Sequence, residues 1–517
     1  MKIGTRGWII SGFCFLYIPF AVFSIGFLRP EIGIPAAFIV GILLLRYLHR
    51  LPQVGSVNFP VHEIWIAAAL IVCWVLLSGV GGYAFQNCDH HIRNAIFHDL
   101  VEFDWPVRYA SDSSALVYYI GYWLPSALMG KLFGWNFAEF FLFLWTGAGI
   151  GITVFLLLKV VKASPVKMVL FFLLFSGMDA IGVLLDNILI QGFYPGFWPP
   201  MTHLEWWAWK YQFSSFTTQL FWVFNQAVPV WVCMAIHLAA PDGKRGLLLW
   251  SLCFFLAPIP SIGFLPFILL EFPQKLFQPG QLRFPDKPIN LSKKVRDLWS
   301  DVRGAFTPEN VIAGGIILSI SAAYFSSNPM SSKIEGTLLV TPMLLFFPFV
   351  LLEGLLLWIL LLEKMRHNLE WYAAGILLLV CPLIRIGTSI DFCMRASIPA
   401  LCILMAGTAN GLADRQLKFR PLLLLMLLVG AITPIYEINR SVYRSAVYYA
   451  NQSTLQSQPT LDPQEATFDC QPETDHPNTL TADKFQSLAN LDPEQIPNFI
   501  ADIENSLYEK YLENKSD

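Results

Sequence analysis

Long apolar runs separated by short polar stretches set the pattern of this chain. Apolar segments lie at 8–28, 33–49, 63–83, 137–158, 167–188, 216–240, 309–326, 339–362, 371–389, 396–413 and 421–437. Most approach or exceed the roughly 20 residues that a helix needs to cross about 30 Å of hydrocarbon. Backbone polar groups in lipid must be satisfied inside the segment, so these runs are expected to be helical. A further stretch, GLLLWSLCFFLAPIPSIGFLPFILLE at 246–271, is interrupted by Pro258 and Pro260. Proline breaks the helical ladder, so the stretch is either one kinked span or a hairpin of 246–257 and 260–271.

Basic residues choose between these, because cytoplasmic loops collect lysine and arginine. With a hairpin and the N-terminus inside, Lys2, Arg6, Arg46, Arg50, Lys159, Lys162, Lys167, Lys244 and Arg245 all fall inside. The cluster from Lys275 to Arg303 does the same, as do Lys364, Arg366, Arg415, Lys418 and Arg420. A single span at 246–271 would move the Lys275–Arg303 cluster outside. The pattern therefore predicts an all-α, polytopic transmembrane bundle of about 13 helices, N-terminus inside and C-terminus outside. The same rule makes 116–134 an interfacial or re-entrant helix rather than a span, leaving outer loops at 84–136 and 189–215.

Three parts follow. Residues 1–62 are an N-terminal hairpin with an inner loop, and 63–437 are the core. Residues 438–517 are a polar external tail. Within the first outer loop, Ile92, Ile96, Leu100 and Phe103 recur at helical spacing, predicting an amphipathic helix over 90–103. In the tail, Phe499, Ile503, Leu507 and Tyr511 stand four apart, with Ile500 and Tyr508 widening the stripe. They predict a terminal helix over 497–512 that docks on the outer loops, since so short a helix is marginal alone.

Composition agrees with this class and excludes others. Of 517 residues, 55% are hydrophobic and 14% charged, against about 25% charged in soluble domains. A net charge of −3 gives no basic surface for nucleic acid. The nine cysteines form no CxxC pair and lie mostly in apolar runs, which argues against a zinc site or a disulfide framework. Lys2 and Arg6 precede an apolar run with no small-residue cleavage site, so the first span is read as uncleaved.

Chemistry-bearing residues gather at the outer ends of spans. The first outer loop opens QNCDHHIRNAIFHDLVEFDW at 86–105. Asp89 reads either as a helix N-cap or as a general base facing a cleft. Arg93, Asp99 and Glu102 are substrate-binding candidates beside it, and His90, His91 and His98 match no metal-ligand spacing. The second outer loop carries His203, Glu205 and Trp207, then Gln212 and Asn225 in a polar run at the mouth of a span. Its aromatics are an anchoring belt or a sugar-stacking surface; its amides suit a polar substrate. The tract IRIGTSIDFCMRASIP at 384–399 holds Arg385, Asp391 and Arg395. Arginine near a span has either a structural partner, such as Asp391 for Arg395, or a task such as binding phosphate. Lys333 is a weaker candidate of the same kind.

This layout resembles the GT-C class of membrane glycosyltransferases, many-span enzymes with an acidic residue in a long first outer loop and amphipathic helices along the membrane. The resemblance covers roughly 63–437 as architecture. It implies an inverting sugar transfer from a polyprenyl-phosphate donor to a saccharide, lipid or protein acceptor. Asp89 would be the base and Arg385 and Arg395 would lie near the donor phosphate. The chain departs from the class in having two spans before the acidic-loop helix and no paired aspartates at the loop start. No cofactor is implied, and a divalent metal is left open. The tracts HLEWWAWKYQFSS and DFCMRASIPAL resemble those of uncharacterised bacterial membrane proteins, which implies the bacterial cytoplasmic membrane. Two other readings stay open. A lipid or saccharide transporter would draw on Asp179, Glu353 and His237 within spans. A non-catalytic scaffold for envelope assembly would need none of these residues.

Overall fold

Helices form where the apolar runs predict them. The computed structural model describes residues 2–51, 55–109, 114–187, 203–208, 211–240, 246–271, 299–300, 302–328, 343–384, 391–455, 487–490 and 498–514. It is 78% helical with almost no sheet, the signature of an all-α protein. In chain order the helices are α1 (Thr5–Phe27), α2 (Pro30–His49), α3 (Val61–Leu77), α4 (Asp89–Glu102), α5 (Leu124–Phe133) and α6 (Trp135–Leu157). Then come α7 (Pro165–Leu174), α8 (Asp179–Asp186), α9 (Phe216–Ala239), α10 (Gly246–Leu256), α11 (Pro258–Leu270) and α12 (Gly315–Phe325). The last are α13 (Met343–Val350), α14 (Leu356–Leu360), α15 (Leu369–Val380), α16 (Asp391–Ala396), α17 (Ile398–Ala413), α18 (Arg420–Gly430) and α19 (Ile432–Leu455). Six helical stretches of the described residues are long and apolar enough to cross a membrane: Thr5–Phe27, Pro30–His49, Trp135–Leu157, Pro165–Asp186, Phe216–Ala239 and Arg420–Val447.

Local sequence explains where elements stop. Helix α3 ends at Leu77 rather than 83 because Gly79, Gly81 and Gly82 take positive φ, a region that glycine enters without a Cβ clash. Ala257 separates α10 from α11, with Pro258 at the first helical position of α11. The two helices run back antiparallel: a Cβ on Gly246 would lie 2.9 Å from Ile268 Cγ2, and Trp250 Nε1 donates to Ser261 O at 2.8 Å. The stretch 246–271 is thus a hairpin. Helix α5 has ten residues, too few to cross a bilayer.

Helix α9 departs most from expectation. In a straight helix, residues 12 apart lie about 18 Å apart. Yet Trp231 Nε1 donates to Gln219 Oε1 at 2.9 Å, and the Phe216 and Trp231 rings are 5.6 Å apart. The backbone is non-helical at Val223 (φ −139°, ψ 36°), and the chain doubles back there. The short arm packs against α3 and α7: Trp74 Nε1 donates to Thr217 Oγ1 at 3.1 Å, and Thr217 Oγ1 donates to Leu173 O at 2.7 Å. Every residue of α9 except Leu238 is buried, so both arms sit in the centre of the bundle.

The C-terminal segment differs from the predicted continuous helix. Strand β4 (Ile500–Asp502) pairs antiparallel with β3 (Ser114–Leu116), Ala115 opposite Ala501. A second small sheet joins β1 (Lys2–Gly4) to β2 (Ser56–Asn58). After β4, Asn505 turns the chain with φ 65°, and only Tyr508–Leu512 coils again, as a π turn. Ile503 and Tyr508 are buried, while Leu507 and Tyr511 are 61% and 53% exposed. The extended form prevails because it fills the backbone donors and acceptors along β3. The segment then closes over the α1–α2 turn, where Asn514 N donates to Phe27 O at 3.1 Å and Arg29 N donates to Leu512 O at 2.8 Å.

Glu513 is buried at that turn and takes Arg108 Nε at 2.8 Å. Removing one partner of a buried pair leaves a charge uncompensated. We expect Arg108→Ala to destabilise the chain by up to about 3 kcal/mol. Deleting 498–517 should lower the melting temperature in detergent further, since β3 also loses its partner. Melting curves that match wild type for both variants would show that the segment does not support the fold.

Candidate functional site

The fold-back in α9 leaves backbone carbonyls without helical partners, and the first long loop supplies them. Asn87 Nδ2 donates to Phe221 O at 2.8 Å, and His90 Nε2 lies 3.0 Å from the same oxygen. Burial, then the charge of Arg93, holds His90 well below its ordinary pKa, at about 3, so its ring is neutral. Asn87 also accepts from Asp89 N at 3.1 Å through Oδ1. The N-cap of α4 is Cys88, and Asp89 is the first residue of the helix rather than its cap.

Asp89 is thereby free to use its side chain elsewhere. Its Oδ2 accepts from Arg93 Nη2 at 2.8 Å, one helical turn on, and its side chain stays 37% exposed. The Arg93 side chain is mostly buried, and its Nη1 meets no acceptor among the described residues.

A second acid–arginine pair comes from the far end of the sequence. Arg395 on α16 bonds Asp391 Oδ1 at 2.9 Å, and its Nη1 donates to Tyr119 Oη at 2.6 Å. Tyr119 in turn accepts from Tyr118 Oη. Arg395 is 7% exposed, and its Nε meets no acceptor among the described residues. Burial opposes its charge, but Asp391, then Tyr119, Tyr118 and Asp89, outweigh burial and raise its pKa. Tyr118 and Tyr119 also feel both Arg395 and Arg93. Asp89, Arg93, Tyr118, Tyr119, Asp391 and Arg395 therefore form one electrostatic cluster, with unpartnered guanidinium nitrogens on both arginines. Forked cationic donors of this kind suit phosphate or carboxylate.

The remaining sequence candidates lie elsewhere. Asp99 is buried and committed to internal partners: Tyr109 Oη at 2.8 Å, Ser487 Oγ at 3.1 Å and Leu488 N at 3.0 Å meet its Oδ2. It anchors the C-terminal segment. Glu102 is exposed at the end of α4 and interacts with Lys131. His203, Glu205 and Gln212 form a second buried network. His203 Nδ1 meets Glu437 Oε1 at 2.7 Å, and Nε2 faces Glu205 Oε2 at 3.6 Å. Gln212 Nε2 donates to Glu205 at 3.0 Å, and Ser215 N donates to its other oxygen at 2.9 Å. Arg440 stacks on Trp222 at 5.1 Å and pairs with Glu437 at 3.5 Å. Trp207 Nε1 donates to Glu353 Oε1 at 3.1 Å. Asn225 is buried, and its Oδ1 meets no donor among the described residues. Arg385 and Lys333 lie outside the described residues.

Sequence reasoning missed Tyr118 and Tyr119, whose tract reads as an interface belt. It also missed Glu437 and Arg440, although their spacing of three on a helix was a usable signal. Among the described residues, no group of three or more His, Cys, Asp or Glu side chains is arranged to hold a metal.

Compared with protein-family models, curated proteins and solved structures, the chain matches none. Its helices define the class: an all-α integral membrane protein.

The His203 network makes a pH-dependent contribution to stability. Burial lowers the His203 pKa, but Glu437 and Glu205 outweigh it and raise the value from 6.5 to about 9. A raised folded-state pKa means the stabilisation is complete below 6.5 and is lost as pH climbs through about 9. We expect the melting temperature to fall between pH 7 and 9. His203→Gln should lower it at pH 6.5 and flatten that fall. A His203→Gln profile parallel to wild type would rule out the charged histidine.

Proposed function

We propose that this chain is a membrane glycosyltransferase of the GT-C kind in the bacterial cytoplasmic membrane. It moves a sugar from a polyprenyl-phosphate donor to an acceptor hydroxyl at the outer face. The observation that carries the reading is the electrostatic coupling of a first-loop acid, Asp89, to a late arginine, Arg395, whose guanidinium bonds Tyr119 and through it Tyr118. In this reading Arg93 orients the Asp89 carboxylate. Asp89 takes the acceptor's proton as its oxygen attacks the anomeric carbon from the face opposite the phosphate. The bond from that carbon to the phosphate oxygen breaks, and the lipid phosphate leaves with an added negative charge. Arg395 and the free Nη1 of Arg93 stabilise that charge as it develops. A buried guanidinium with an unused N–H is prepared for such a ligand without reorganisation. The configuration inverts.

The rival reading, a lipid or saccharide transporter, draws on the buried carboxyls Asp179 and Glu353, which contact each other where two helices are interrupted. Acidic side chains inside spans often mark ion or proton pathways. Transfer assays separate the two, because a transporter moves the lipid-linked sugar without cleaving it.

Asp89→Asn preserves size while removing the base. With a lipid-linked sugar library we expect normal insertion and transfer slowed at least about 100-fold, the scale of a lost general base. Arg395→Lys keeps a charge but loses the fork, and should slow transfer by about 10-fold or more. Asp391→Asn is the control. If it lowers stability and transfer as much as Arg395→Lys does, the arginine is structural. Transfer by Asp89→Asn at the wild-type rate would remove the assignment.

A further inference from the structure

Three helices are interrupted at one place deep in the bundle, apart from the Asp89 cluster. The chain between α7 and α8 is non-helical over Phe175–Met178. A π turn, Leu351–Leu355, separates α13 from α14. Helix α18 ends at Gly430, and α19 starts at Ile432. The interruptions touch. Met178 N donates to Leu352 O at 3.3 Å. A Cβ on Gly430 would lie 2.7 Å from Ser176 O and 2.8 Å from Gly177 O. A Cβ on Gly177 would lie 1.8 Å from Glu353 Oε2, so only glycine leaves room for that carboxyl.

Asp179 and Glu353 meet there, each 1% exposed, and each carboxyl acts electrostatically on the other, with Glu205 adding to both. The donors around them are neutral: Ser176 Oγ at 3.1 Å and Thr433 Oγ1 at 2.9 Å to Asp179 Oδ2, and Trp207 Nε1 at 3.1 Å to Glu353 Oε1. Glu353 Oε2 receives no N–H or hydroxyl from any described residue. The nearby positive charges are engaged elsewhere. His203 lies between Glu205 and Glu437, and Arg440 is paired with Glu437. Among the described residues, no lysine, arginine or histidine pairs with Asp179 or Glu353. Buried carboxylates are ordinarily paired, protonated or bound to a metal. A single shared proton would join the two groups and leave one negative charge uncompensated. The surroundings add the hydroxyl oxygens of Ser176 and Thr433, both bonded to Asp179 Oδ2, the donor type that hard cations take.

We infer that Asp179 and Glu353 hold a hard, calcium-like divalent cation at the junction of these interrupted helices. Two carboxylates balance its charge. The hydroxyl oxygens of Ser176 and Thr433 add neutral ligands beside them. The cation ties α8, the π turn and α19 together, and this role is independent of the chemistry at Asp89.

The test uses the full chain in detergent, stripped with a chelator and then titrated with Ca²⁺, Mg²⁺ or Na⁺. Radioactive calcium binding and thermal unfolding are the readouts. We expect saturable calcium binding with a matching rise in melting temperature, weaker responses to Mg²⁺ and Na⁺, and loss of both in Asp179→Asn and Glu353→Gln. Thr433→Ala keeps both acids and should weaken calcium binding by about 10-fold. Asp89→Asn should leave it unchanged. Should the acid variants fail to fold, Thr433→Ala decides: unchanged calcium affinity overturns the site. A wild-type protein whose stability follows pH but ignores all three cations also overturns it, leaving only shared protons.

Discussion

The carbonyl of Phe221 holds the arrangement together. A helix that doubles back in the middle of a bundle exposes backbone acceptors where water is scarce, and each one left bare is costly. Asn87 and His90 both reach that one oxygen. Because Asn87 also receives Asp89 N, the same side chain that closes the α9 break is bonded to the first residue of α4. The position of Asp89 thus follows from a backbone problem several helices away. Neutral His90 fits this role, since a charged ring would have to be buried beside Arg93.

Charge is treated differently in the parts of the molecule that surround this point. Around Asp89 and Arg395, each arginine pairs with a carboxylate and has a nitrogen with no acceptor among the described residues, so the cluster has capacity for an anion. Around His203, two acids enclose one imidazole and an arginine stacks on Trp222, so charges are matched internally. Around Asp179 and Glu353, no basic partner stands among the described residues, so that region has capacity for a cation. The three environments lie on different elements but share neighbours: Trp222 follows Phe221, and Trp207 lies two residues after Glu205. Changes in one are expected to be felt in the next through these aromatic contacts.

Much of this was legible in the sequence, for identifiable reasons. Apolar runs report helices because lipid leaves few alternatives, and Pro258 with the basic cluster beyond it reported the α10–α11 hairpin. The period of Ile92, Ile96 and Leu100 reported α4. The α9 fold-back was not legible, because Val223 carries no glycine or proline signal and its cause is tertiary. The interruption at Phe175–Met178 did carry a signal, the Ser176–Gly177 pair, which the long apolar run around it masked. Tyr118 and Tyr119 looked like interface aromatics because composition does not say which way a ring faces. The strand at Ile500–Asp502 was read as helix because a short apolar stripe fits both periods, and only the open edge of β3 decides.

The central claim is that Asp89 and Arg395 address one anionic ligand. Equilibrium binding of a short-chain prenyl phosphate to wild type, Asp89→Asn, Arg395→Ala and the double variant tests it directly. If both residues face the phosphate, Arg395→Ala weakens binding, Asp89→Asn tightens it by removing a nearby negative charge, and the two effects are not additive. If Arg395→Ala binds as wild type does, or the two effects simply add, the residues do not share a ligand and the account is contradicted.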